Sequence, residues 1–253
     1  MARPWETQSE RVRVDFESPY DAIADLYDAW SRSVTEDVPF YLEEARAAAG
    51  PVVELAVGTG RIAVPIAREG IRVIGVDNSG RMLDVCRARA QREGVADLLD
   101  LRLGDLREPP VDEPVGLVLC PFRSYLHLRS ERDRRRALLG ARRLLEPGGR
   151  LVFDVFAPAA DDISETNGRW LEREPGIFER ADWNENELTF TLRVRGPASE
   201  TAMDLAWAPP ADWHRLLEEA GFEVVDCYGW FDRRRYRGQE DSVWIAQRPV
   251  RGA

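Results

Sequence analysis

Three carboxylates stand near the ends of three successive apolar runs, and their order is what a nucleoside site needs. Val52-Val53-Glu54-Leu55-Ala56-Val57-Gly58-Thr59-Gly60-Arg61 reads as a buried strand, a glycine turn and a helix start, with Glu54 four residues ahead of Gly58. Asp77 closes the next apolar run, Val73-Ile74-Gly75-Val76, and Asp105 follows Gly104 after a third run over 99–103. Glycines let the backbone approach a ligand where a Cβ would block it. On an open α/β sheet such residues gather outside the carboxyl ends of the strands, where nucleosides bind.

Gly58-Thr59-Gly60-Arg61-Ile62-Ala63 also fits a relaxed dinucleotide pattern, with Asp77 as the ribose acid. An NAD(P)-dependent oxidoreductase is therefore one alternative. Two features argue against it. A pyrophosphate disfavours a carboxylate as near the turn as Glu54, and the Gly104-Asp105 pair has no place in the dinucleotide fingerprint.

Composition removes other chemistries. Lysine is absent, all 35 Lys+Arg positions being arginine, so no Schiff base, pyridoxal anchor or phosphate-loop lysine is available. A GC-rich, bacterial coding sequence is the plain cause. His127 and His214 are the two histidines, too few for a histidine-rich metal centre, and no metal motif stands out. Cys86, Cys120 and Cys227 are odd in number and far apart, which suits a reducing cytoplasm. From the polar start of the chain no signal peptide is expected, and no apolar run reaches membrane-spanning length. A net charge of -10 disfavours a general nucleic-acid surface.

The elements that must hold these residues follow from periodicity. Residues 1–17 read as a flexible tail. Helices are expected over 20–31, where Ile23, Ala24, Leu26, Tyr27 and Trp30 make one apolar face, and over 38–49. Strands and helices then alternate at 51–56, 60–69, 72–77, 80–92, 98–103, 115–120, 131–145 and 149–156, the βαβ rhythm of a parallel sheet. Glu146-Pro147-Gly148-Gly149-Arg150 reads as a turn into the fifth strand. Beyond residue 157 the period drops to two: Leu188, Phe190, Leu192 and Val194 alternate with polar neighbours, as do Thr201, Met203, Leu205 and Trp207. We therefore expect an antiparallel β insert over 165–208, between core segments 18–164 and 209–249. A helix at 210–220 and a hairpin of 223–228 with 242–247 complete the core. The insert should cover the substrate mouth and contribute to a homodimer. Trp170, Trp183, Trp207, Trp230 and Phe231 are candidates for an apolar pocket, and the triplet Arg134-Arg135-Arg136 reads as a solvated helix face.

The acid series, the Pro-Gly-Gly turn and the terminal hairpin resemble class I S-adenosylmethionine (SAM)-dependent methyltransferases, over residues 18 to 156 with specific motifs and loosely thereafter. The chain resembles in particular the small-molecule N- and O-methyltransferases, including glycine-type and amino-sugar N-methyltransferases. That resemblance implies an α/β fold with a Rossmann-like seven-stranded sheet, SAM as cofactor and a small-molecule acceptor. It implies that the segment from Tyr20 to Asp28 folds over the cofactor, with Tyr20 near the transferring methyl and Tyr27 close by. Ala56, where the family often has glycine, would join Gly58 and Gly60 around the methionine end, beside Glu54. Asp77, with Asn78, would take the ribose hydroxyls, Met82 would pack on adenine, and Asp105 with Leu106 would meet its amino group. In the segment after the fourth strand, His127 would act as a base of near-neutral pKa. Arg123, Ser124 and Tyr125 would face substrate. Tyr20 and His127 would flank the methyl from opposite sides. A catalytically silent SAM-binding protein is the other alternative.

Overall fold

The computed structural model describes residues 18–238 and 240–250; the expected tail over 1–17 lies outside them. The chain begins with a 3-10 turn, Pro19–Ile23, which continues as α1 (Ala24–Trp30), and α2 (Asp37–Ala47) follows. The 20–31 helix is thus split. Ser18 caps the turn, Pro19 takes its first position, and Asp21 bonds back to the Ser18 amide. Asp21 also accepts from Ser79 Oγ at 2.5 Å, tying this turn to the sheet.

The alternation then runs β1 (Val52–Leu55), α3 (Ala63–Arg68), β2 (Val73–Asp77), α4 (Gly80–Arg92), β3 (Leu99–Leu103), β4 (Val115–Cys120), α5 (Glu131–Leu144) and β5 (Leu145–Phe156). β1 and β2 are buried along their whole length, as strands covered on both faces must be. Ser79 and Ser130 start α4 and α5 by accepting the Met82 and Asp133 amides, the ordinary N-cap. The Pro-Gly-Gly turn proves to be an irregularity inside β5, where the register against β4 shifts and Gly148 takes φ 85°.

After β5 come α6 (Ala160–Thr166), then β6 (Leu171–Glu174), β7 (Ile177–Asn184), β8 (Thr189–Arg195) and β9 (Glu200–Ala206), and finally α7 (Pro210–Glu219), β10 (Glu223–Tyr228) and β11 (Asp241–Gln247). The main sheet has seven strands in the order β10-β11-β5-β4-β1-β2-β3. β1–β5 are parallel, and β11 runs antiparallel between β5 and β10. The order reverses between β1 and β4, which opens a crevice at their carboxyl ends.

β6–β9 form a separate antiparallel sheet. Its apolar face, with Phe190, Val194, Met203 and Leu205, is buried. Three hydrogen bonds tie it to the N-terminal segment: Trp30 Nε1 to Glu179 at 3.0 Å, the Ser33 amide to Glu174 at 3.0 Å, and Thr201 Oγ1 to the Pro19 carbonyl at 2.8 Å. One expectation fails on α5. Arg134 is buried and donates to the Ala206 and Trp207 carbonyls, so the arginine triplet is not a uniformly solvated face. Arg134 shares a helical stripe with Leu138 and Ala141, which turns it inward.

Candidate active site

Two cavities meet at the crevice. The smaller, about 260 Å³, is walled by Tyr20, Tyr27, Ala56, Gly58, Asp77 and Asn78. Met82, Asp105, Leu106 and Arg107 line it as well. Ala56 and Gly58 both adopt left-handed backbone, at φ 56° and 55°. Alanine therefore occupies a conformation that glycine takes at less cost. The Asp77 carboxylate accepts the Gly58 amide at 2.8 Å on one oxygen and the Ser79 amide at 2.8 Å on the other. Burial pushes its pKa up, while these amides pull the other way. Each oxygen keeps a lone pair for a further donor.

Asp105 lines the same cavity but is already engaged. Arg107 binds both its oxygens through three guanidinium hydrogen bonds, and the Arg107 amide adds a fourth. Burial alone would raise the Asp105 pKa; Arg107 holds it below the usual carboxylate range. Two expected residues lie outside the cavity wall. Glu54 is buried within β1, its Oε2 has no hydrogen-bond partner among the described residues, and burial pushes its pKa well up. Gly60 faces the protein: a Cβ there would meet Cys86 Sγ at 2.6 Å. Its role is to let the turn pack on α4.

The larger cavity, about 450 Å³, lies under the β6–β9 sheet. Trp30, Phe156, Trp183 and Phe190 give it an aromatic wall, and Arg123, Glu179 and Asp241 give it charge. Trp207 packs against Trp183, whereas Trp230 and Phe231 pack together, with Phe231 against Phe40 of α2. Trp170 lies under the Arg195 guanidinium. Of the expected aromatic set, Trp183 therefore faces this cavity.

Tyr20, Phe122 and His127 belong to both cavities and form the wall between them. The Tyr20 hydroxyl and His127 Nε2 are hydrogen-bonded at 2.9 Å. This corrects the expectation that the two side chains flank a methyl group from opposite sides: they touch. Burial drives the His127 pKa down to about 4, below the near-neutral value expected of a base. Burial raises the Tyr20 pKa, with nearby Tyr27 and Asp77 adding to the shift.

The segment after β4 sorts its own residues by geometry. Ser124–His127 is a 3-10 turn, in which i and i+3 share a face. Ser124 and His127 accordingly reach the smaller cavity. Tyr125 turns away, fully buried, stacked on Trp213 at 5.8 Å and edge-on to Phe153; it is a core residue, which corrects its expected place against substrate. Ser124 Oγ donates to the Pro121 carbonyl at 2.7 Å. Arg123 reaches the larger cavity, where Asp241 holds it at 2.6 Å and the Phe156 ring lies under it.

A methyltransferase domain model matches residues 52–149, from β1 into β5. An uncharacterized methyltransferase of Geobacillus kaustophilus is 30% identical over 188 residues, covering 67% of this chain and 83% of that protein. The chain belongs to the SAM-dependent methyltransferases. It is also 26% identical over 229 residues to a glycine/sarcosine/dimethylglycine N-methyltransferase of Actinopolyspora halophila, covering 87% of this chain but 40% of that longer enzyme. The structure of the CcbJ methyltransferase from Streptomyces caelestis superposes with a TM-score of 0.75 at 27% identity, over 84% of this chain and 95% of that one. The strand order, with an antiparallel seventh strand, is the class I methyltransferase sheet, and the nicotinamide alternative is set aside.

The methyl donor of this family is SAM, and the smaller cavity fits it. A buried carboxylate with free lone pairs suits vicinal hydroxyls, and Met82 and Leu106 offer apolar surface to a purine. Arg107 and Phe122 are among the wall residues that escaped the sequence reading. Arg107 was legible only as a charge two residues past an acid. Phe122 gave no signal, since its position depends on the backbone of the loop after β4.

Proposed function

We propose that this methyltransferase binds SAM in the smaller cavity and methylates a nitrogen of a small molecule held in the larger one. Asp77 and Asn78 would hold the ribose, Ala56 and Gly58 the methionine end, and Met82, Asp105 and Leu106 the adenine, with Tyr20 and Tyr27 closing over them. The bound donor supplies a methyl group already activated on a sulfonium. The chain's task is then to align the acceptor and exclude water, and the shared wall of Tyr20, Phe122 and His127 is where the two ligands would face each other. Arg123 and Asp241 would fix polar groups of the acceptor.

The choice of nitrogen over oxygen rests on His127. Burial keeps its pKa at about 4, so it is neutral and a poor proton acceptor at pH 7. An amine can lose its proton to water before entering the pocket, whereas an alcohol needs a base inside it. The Actinopolyspora relative is named as an N-methyltransferase, which agrees. The test is transfer of labelled methyl from SAM to paired amines and alcohols of similar shape. Labelled amines with unlabelled alcohols are expected; the reverse pattern would overturn the nitrogen reading. SAM binding without transfer to any acceptor would favour a catalytically silent binding protein.

A cytoplasmic location and a homodimer complete the proposal. The location is supported by three free cysteines. No helix among the described residues is long and apolar enough to cross a membrane. The dimer rests on partly exposed Leu171 and Leu188, because the inner face of the β6–β9 sheet is already covered by its own chain.

A further inference from the structure

Asp154 lies on β5, 4% exposed, outside both cavities, yet it gathers three donors. Its Oδ1 accepts the Tyr41 hydroxyl of α2 at 2.5 Å and the Phe122 amide at 2.8 Å; its Oδ2 accepts the Arg123 amide at 2.9 Å. Phe122 and Arg123 are consecutive non-glycine residues in left-handed backbone, at φ 56° and 59°. Side chains resist that region, and such conformations persist where the surroundings over-determine them. Here the two amides converge on one carboxylate. Downstream, the Phe122 ring forms part of the wall between the cavities, and the Leu126 amide bonds the Arg123 carbonyl at 2.9 Å, leading into the turn that carries His127.

We propose that Asp154 is a positioning residue for methyl transfer, whose carboxylate holds the Phe122–Arg123 turn left-handed and so sets the wall shared by the two cavities. This rests on the reading that the larger cavity takes the acceptor. Asparagine cannot replace it. Its amide would aim a donor at one of the two backbone N–H groups, leaving a buried donor unpaired. Tyr41→Phe is the contrasting change, because it removes one donor and leaves both backbone amides satisfied.

Hydrogen exchange over residues 121–128 tests the proposal without knowledge of the acceptor. In Asp154→Asn, exchange there should rise roughly ten-fold or more while β1 and β2 keep their protection. Tyr41→Phe should leave the segment near wild type. S-adenosylhomocysteine should bind Asp154→Asn within about five-fold of wild type, since a local change leaves distant contacts intact. With an amine from the labelling screen, KM for the amine should rise more than kcat falls. Unchanged exchange over 121–128 would overturn the proposal, and so would a rise spread evenly over the whole sheet. Should Asp154→Asn not fold, the wild type still decides: the Phe122 and Arg123 amides should exchange about a hundred-fold slower than free amides, despite lying in a loop. Free exchange would overturn it. Failure to find any acceptor leaves this measurement intact and counts against the acceptor reading instead.

Discussion

Asp77 and His127 carry opposite lessons at the residue scale. Asp77 is buried, ordered by two backbone amides, and presents its remaining lone pairs to the smaller cavity. Asp77→Ala should weaken SAM binding by on the order of 1–3 kcal/mol, as loss of a charged hydrogen-bond partner does; calorimetry giving wild-type affinity would remove it from the ribose site. His127 predicts a pH effect. Its pKa falls from 6.5 to about 4 on folding, so between those values the folded chain binds fewer protons than the unfolded one. The stability contributed by neutral His127 is complete above pH 6.5 and is lost as the pH falls toward 4, by on the order of 2–3 kcal/mol at most. Asp154 acts in the opposite sense. Burial raises its pKa from 3.8 to about 6, so its contribution is lost as the pH rises through that range. Comparing wild type with His127→Gln isolates the first effect. The variant's stability should fall less steeply between pH 6.5 and 4, and parallel curves would contradict the burial argument. Asp77 and Asp105 were legible in the sequence because strand ends are legible, whereas Glu54 lies inside β1 and off the cavity wall. The environment of His127 was not legible, since burial and the Tyr20 hydroxyl come from segments 107 residues apart.

At the scale of elements, the glycine turn does two jobs that the sequence could not separate. Gly58 faces the cavity, while Gly60 packs against Cys86. Gly60→Ala, at φ 78° with its Cβ 2.6 Å from Cys86 Sγ, should cost roughly 1–3 kcal/mol in stability through strain and overpacking. Adding Cys86→Ala should recover the steric part and leave the backbone part, a coupling visible in a double-mutant cycle. Strict additivity of the two melting-temperature changes would show that the contact is not felt. The parallel strands were readable because both faces are covered, and the β6–β9 sheet because its alternation has a period of two. α6 was missed for a physical reason: it has seven residues and one buried side chain, Ile163, so it shows no apolar period. Tyr125 was misplaced because a 3-10 turn distributes side chains every three residues, and nothing in the sequence distinguishes that turn from an extended loop.

Across the whole molecule, the N-terminal segment and the β6–β9 sheet both line the larger cavity. They are joined by Trp30–Glu179, Ser33–Glu174 and Thr201–Pro19. Trp30→Phe keeps the ring and cuts one strut, so hydrogen exchange in 24–30 and 177–184 should rise together by roughly three-fold or more. A rise confined to one segment would mean that they move independently. The homodimer is tested by light scattering at micromolar concentration, where a dimer mass is expected and a monomer mass would reject it. The central claim is that the two cavities meet at Tyr20, Phe122 and His127, one for the donor and one for the acceptor. A crystal structure with bound S-adenosylhomocysteine tests it most directly. The nucleoside should lie in the smaller cavity, with both ribose hydroxyls on Asp77 and the sulfur turned toward the Tyr20–His127 pair. A nucleoside bound elsewhere, or a sulfur pointing away from that wall, would contradict it.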